Sequence, residues 1–113
     1  MSNAWENFFA ATAMLASAGP IKHRLSEAYR THLESLDRDE LPKEIREEFS
    51  AISNQMCRVR PLRGETAVQA TVRKMSDIEA SRIATRIVSM LGFLARHQQS
   101  MQRAPKLRAV GDE

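Results

Sequence analysis

One cysteine, four glycines and six aromatic residues among 113 leave several protein classes without their raw material. A single Cys57 cannot close an internal disulfide, so nothing in the chain points to an oxidising compartment. The residue reads as a small buried or half-buried apolar side chain, because no neighbouring base marks it as a nucleophile. Histidine occurs three times. His23 and His32 lie nine positions apart and cannot form the i, i+4 pair of a helical metal site. There is no glycine-rich phosphate loop, no His-Glu-x-x-His, no G-x-S-x-G and no repeat at a solenoid period. The expectation is a protein that is not an enzyme, with no cofactor and no metal.

Long apolar runs are missing too. None reaches the roughly 18 residues that span a bilayer. The stretch FFAATAMLASAG resembles a short secretory core, but Glu6 stands where a basic segment belongs. The reading is a cytoplasmic protein, bacterial in character, with no membrane partner. Ser2, Asn3 and Ala4 match a cloning remnant in form, and no function is read into them.

What remains is a composition of 42% hydrophobic and 27% charged residues, ordinary for a helical globular chain. The length suits one domain able to bury a core without staples. The net charge of +3 hides a division. Residues 34 to 48 hold seven acids against three bases, residues 58 to 74 hold five bases against Glu65, and residues 82 to 108 hold six bases and no acid. Such segments either pair within the molecule or between subunits, or present a basic surface outward. The small excess favours pairing.

Helical periodicity is strongest from Ser76 to Gln98. At about 100° per residue, Ala80, Ile83, Ala84, Ile87, Val88, Met90, Leu91, Leu94 and Ala95 fall within roughly 160°, wider than the ~100° stripe of an ordinary surface helix. A face so broad predicts more than one neighbour. Ser76 and Glu79 have the spacing of a capping box, and Gly92 inside the helix marks either the close passage of another backbone or simple tolerance of a residue that costs about 1 kcal/mol there. The opposite face carries Arg82, Arg86, Ser89 and Arg96, with Phe93 among them. Aromatics and arginines are enriched at interface hot spots, so Arg82, Arg86, Phe93 and Arg96 are the candidate partner-binding residues.

Four further helices precede it. Asn3 with Glu6 caps one from about Ala4 to Ala18, its apolar side being Trp5, Phe8, Phe9, Thr12, Ala13 and Ala16, widened by Met14 and Leu15. Gly19-Pro20 stops it and starts a second, to about Leu36, with Ile21, Leu25, Ala28, Tyr29, Leu33 and Leu36 on one face. Pro42 opens a third, to about Cys57, with Leu41, Ile45, Phe49, Ile52 and Met56 inward and an acidic outer face. Glu65 to Met75 forms a short fourth, with Ala67, Val68, Thr71, Val72 and Met75 inward. Between the third and fourth, Arg58-Val59-Arg60-Pro61-Leu62-Arg63-Gly64 reads as an extended linker, since Pro61 disfavours helix at Arg60. Its guanidiniums either grip an external anion or reach back to the acidic third helix.

The expected fold is all-α, a compact bundle of four to five helices packed around a long C-terminal helix. Residues 1–103 form one domain and residues 104–113 a solvated tail, with the pattern ending at Ala104-Pro105. The expected function is a small non-enzymatic protein–protein interaction or regulatory module, acting on a protein partner or on itself as a homodimer. The alternative is RNA or DNA backbone binding through Arg58, Arg60, Arg63 and Arg73. A helix-turn-helix is disfavoured, because Asp77 and Glu79 at the start of the last helix would repel phosphates.

Overall fold

Asn3 opens the chain's first helix as the sequence predicts: its Oδ1 accepts from the amides of Trp5 at 3.0 Å and Glu6 at 3.4 Å. The computed structural model describes the backbone of residues 3–111 and the side chains of residues 3–99. Five α-helices and no strand occur among them, an all-α bundle. They are α1 (Ala4–Leu15), α2 (Ile21–Ala28), α3 (Lys43–Met56), α4 (Ala67–Lys74) and α5 (Asp77–Gly111).

In α1 the buried side chains are Ala4, Phe8, Ala11 and Leu15, so Phe8 and Leu15 of the expected apolar side are buried, while Ala4 and Ala11 join them from outside it. Phe9, Ala13 and Ala16 are exposed and Trp5 is half-buried. The small Ala4 and Ala11 let neighbouring helices approach around Phe8, whose ring meets Phe49 of α3 edge-on at 6.0 Å. Trp5 and Phe9 instead stack on each other at 5.4 Å. The helix ends three residues earlier than expected. Arg24 donates to the carbonyls of Leu15 and Gly19 and satisfies the exposed helix end.

α2 passes directly into one widened turn, Tyr29–Leu33, where the Glu34 amide reaches back five residues to the Tyr29 carbonyl at 2.8 Å. Leu25, Ala28, Tyr29, Leu33 and Leu36 are all buried, as the sequence spacing predicts. Burial also raises the pKa of the Tyr29 phenol. A short 3₁₀ turn at Arg38–Glu40 leads to α3, whose five predicted core positions from Leu41 to Met56 are all buried. α4 begins with a complete capping box: Thr66 Oγ1 accepts from the Gln69 amide at 3.1 Å and Gln69 Oε1 from the Thr66 amide at 2.9 Å. Its buried residues are Val68, Ala70, Thr71 and Val72, with Ala70 in place of the expected Ala67. The Lys22 ammonium joins α2 to α4 through the Arg73 carbonyl at 3.1 Å.

α5 lies along α1 and α2, and Ile83 and Ile87 are wholly buried there. The hub is one-sided. Val88 is 43% exposed and Ala95 is exposed, so the apolar arc is narrower than the periodicity implies. The helix runs through Pro105 to Gly111, past the point where the pattern ends. The solvation expected of residues 104–113 concerns side chains outside the described residues.

Candidate functional site: the outer face of the last helix

α5 starts at Ser76, whose hydroxyl accepts from the Glu79 amide at 3.0 Å. Only this half of the expected capping box forms. The Glu79 carboxylate turns instead to Arg58, 3.0 Å away, and to the Gln55 amide nitrogen at 3.2 Å. Gln55 completes a chain of contacts: its oxygen accepts from Arg86 Nη1 at 3.0 Å, and Arg86 Nε donates to Glu48 Oε2 at 2.7 Å. Glu48, Arg86, Gln55, Glu79 and Arg58 thus join α3 and its outgoing loop to α5. The hydrogen bond from Arg86 holds the Glu48 carboxyl below its ordinary value, and the same bond raises Arg86. The charge division in the sequence is therefore closed in part within the molecule. Arg86, read as a partner-binding candidate, is held by an acid of its own chain.

Phe93 is half-buried and packs against the core, and its ring stacks on His97 at 5.8 Å. Its place is a flank of the bundle rather than the middle of a solvated stripe. Arg82 and Arg96 are exposed and meet no acid among the described residues. Of the four candidate partner residues, the fold thus takes up Arg86 and Phe93 and leaves Arg82 and Arg96 outward.

The anion-binding candidates Arg58, Arg60, Arg63 and Arg73 divide similarly. Arg58 is paired with Glu79, and Arg73 makes a two-pronged contact with Glu65 at 2.7 and 3.1 Å. That contact, led by the hydrogen bond from Arg73, lowers the Glu65 carboxyl. Arg58 thus pairs with Glu79 of α5 and not with the acidic third helix, one of the two destinations that the sequence left open for the loop guanidiniums. Arg60 and Arg63 are exposed and meet no acid among the described residues. The loop is pinned by the Val59 amide, which donates to the buried Thr71 hydroxyl at 3.0 Å, and it turns at Gly64, whose φ of 81° suits a residue without a Cβ.

Cys57, expected to be at least half-buried, is exposed. Partial desolvation of its sulfur and the nearby Glu34 carboxylate raise its pKa, which keeps it a thiol rather than a nucleophilic thiolate. A hollow of about 500 Å³ between the starts of α1 and α3 and the 94–98 stretch of α5 is lined by Asn3, Trp5, Glu40, His97 and Gln98 among others. The Asn3 carbonyl oxygen is spent on its helix cap, and the His97 ring lies against Phe93.

What the sequence reading missed is a second regular spacing on α5. Ala80, Ile83, Ile87, Met90 and Leu94, stepping by three and four, form the buried seam. Ile78, Ser81, Thr85, Val88, Gly92 and Ala95 step in the same way two residues out of register. That places them about 200° round the helix, facing away from the core. Ile78 is 66% exposed, and Ser81, Thr85, Val88 and Ala95 are exposed with it. Beside this outer seam, Thr12, Leu15, Ala16 and Ile21 of α1 and α2 line a groove of about 390 Å³ together with Ser81, Ala84, Thr85 and Val88. Thr12 Oγ1 is buried there without a hydrogen-bond partner. The 3-4 spacing was legible in the sequence. Serine, threonine and glycine at half its positions disguised it as polar surface.

Comparison of the chain with protein-family models, with curated proteins and with solved structures finds no match. No helix among the described residues is long and apolar enough to cross a membrane.

Proposed function

We propose that this chain is a small non-enzymatic protein–protein interaction module of the cytoplasm, and that the outer side of α5 is its contact face. The observation that carries the reading is the exposed row of Ile78 and Val88 with small residues between them, bordered by Arg82 and Arg96. Two exposed aliphatic side chains aligned on one helix face, beside a groove and two guanidiniums that meet no acid among the described residues, combine the apolar centre and arginine-bearing rim of a contact surface. Arg86 and Phe93 serve it indirectly by fixing the helix to its bundle. Val88→Glu tests the reading. The variant should melt with the parent, because position 88 faces outward, and should lose a protein that the parent captures from its native host's extract. Identical capture by both would contradict it.

The nucleic-acid reading retains Arg60 and Arg63, exposed on the loop beside Gly64. Two phosphate contacts give a salt dependence of only about −0.7 to −0.9 per contact in the logarithm of affinity, far short of a dedicated binder. Arg60→Ala with Arg63→Ala should abolish any RNA or DNA retention measured at low salt. No retention by the parent under those conditions would end this alternative.

A further inference from the structure

We propose that the outer seam of α5 is covered by the same seam of a second copy, the two helices lying parallel and in register; this rests on the reading of that face as a protein contact. The first support is the spacing. Positions 78, 81, 85, 88, 92 and 95 alternate by three and four residues without interruption, the repeat that keeps one helix face against another over several turns. The buried seam of the same helix uses that spacing to meet α1 and α2, whereas the outer one borders them only across the groove at Ser81, Thr85 and Val88 and is otherwise exposed.

The second support is charge. In a parallel pair, each residue flanking the seam on one side meets the residue five positions later on the partner helix. Asp77 and Arg82 stand at that separation, on opposite flanks, and both are exposed. Two copies in parallel register therefore form the Asp77–Arg82 pair twice, once at each side of the two-fold axis. In an antiparallel pair like flanks face each other, and the flank that carries Arg82, Ser89 and Arg96 would meet its own kind with no acid. Charge selects the parallel arrangement.

The third support is size. Ser81, Gly92 and Ala95 leave room for a helix backbone to come close. A Cβ built on Gly92 would meet only the Arg96 guanidinium among the described residues, at 3.7 Å, so none of them explains a glycine in mid-helix. Mostly small side chains bury little apolar surface, so the contact is a weak one whose dissociation should be visible on dilution.

Sedimentation equilibrium and oxidative cross-linking of the full chain test the proposal, with Cys57→Ser as background. The parent should pass from monomer to dimer with rising concentration. Ser81→Cys and Ala95→Cys, introduced separately, should each give a disulfide-linked dimer, whereas Ala51→Cys on the outer side of α3 should not. An antiparallel pair can bring at most one of the two seam cysteines to its own counterpart, so cross-linking at only one of them overturns the parallel arrangement. Arg82→Asp should weaken association roughly tenfold, and adding Asp77→Arg should restore it. Circular dichroism checks that the variants fold; if Asp77→Arg disrupts the start of α5, the parent and Arg82→Asp carry the comparison. A parent monomeric at every concentration overturns the proposal. If that monomer still loses a captured protein on Val88→Glu, the interaction reading stands without the second copy; if it captures none, both fall.

Discussion

The two seams of α5 share one spacing and differ in what fills it. The inner row, Ala80, Ile83, Ile87, Met90 and Leu94, is at most 5% exposed, while Ile78 and Val88 on the outer row are 66% and 43% exposed. Large aliphatics gain most from leaving water, at about 25 cal/mol per Å² of apolar surface, so the inner row holds the monomer together. The outer row is mostly serine, threonine, glycine and alanine, which add little to folding but let a second surface approach. Periodicity alone says that a face is regular. The volume of its side chains says whether that face builds the core or awaits a partner.

The comparison breaks most visibly by truncation. Ile83→Ala or Ile87→Ala should cost about 2–5 kcal/mol in chemical denaturation, from lost burial and the cavity left behind. Val88→Ala, on the same helix one residue from Ile87, should stay within about 0.5 kcal/mol at concentrations where the chain is monomeric. Comparable losses at 87 and 88 would mean that the two faces are not distinct.

Glycine and threonine sharpen it next. Gly92→Ala should stabilise the monomer by up to about 1 kcal/mol, because an interior helical glycine is costly and the new methyl meets only the Arg96 guanidinium at 3.7 Å. Thr12→Val should be neutral or stabilising by about 1 kcal/mol, since it removes a buried hydroxyl that has no hydrogen-bond partner. Thermal unfolding reads both, and a clear loss in either would show that the groove beside the outer seam is tighter than its geometry indicates.

The smallest effect belongs to the polar links that hold α5 to α3. Because Arg86 lowers the Glu48 carboxyl, the folded state favours its ionised form. That contribution is fully present above the ordinary carboxylate value near 4.5 and is lost as pH falls through it towards the lower folded value. The pair is partly exposed, with side chains 43% and 34% accessible, so it should contribute only about 0.2–1 kcal/mol. Glu48→Gln should flatten the acid limb of the stability profile by that amount. An unchanged profile would show that the Glu48–Arg86 pair adds nothing to the hold on α5.

Most of the fold was legible in the sequence because most of it rests on local patterns. The α3 core positions, the Asn3 cap and the Gly19-Pro20 break all follow from spacing and turn chemistry. The misses came where tertiary packing outweighed pattern. In α1 the bulky Trp5 and Phe9 drew the predicted face towards themselves, yet they stack with each other while Ala4 and Ala11 face inward. In α2 the predicted core positions from Leu25 to Leu36 are buried, but the regular helix ends at Ala28 and a wide turn runs Tyr29–Leu33, where the spacing predicts an unbroken helix. At the candidate site, the arginines were legible as a cluster but not as individuals. Arg86 and Arg82 sit one turn apart on the same helix, and only the position of Glu48 on a distant segment separates a structural residue from a free one. Gln55 and Glu79, which complete that link, carry no signal of their role in the sequence.

Sedimentation equilibrium of the parent chain beside Val88→Glu, over a range of concentrations and with thermal melts recorded in parallel, tests the central claim most directly. The two-seam account predicts a parent that dimerises reversibly and a variant that stays monomeric while melting at the same temperature. A parent that remains monomeric throughout, or a variant that loses its fold, would contradict it.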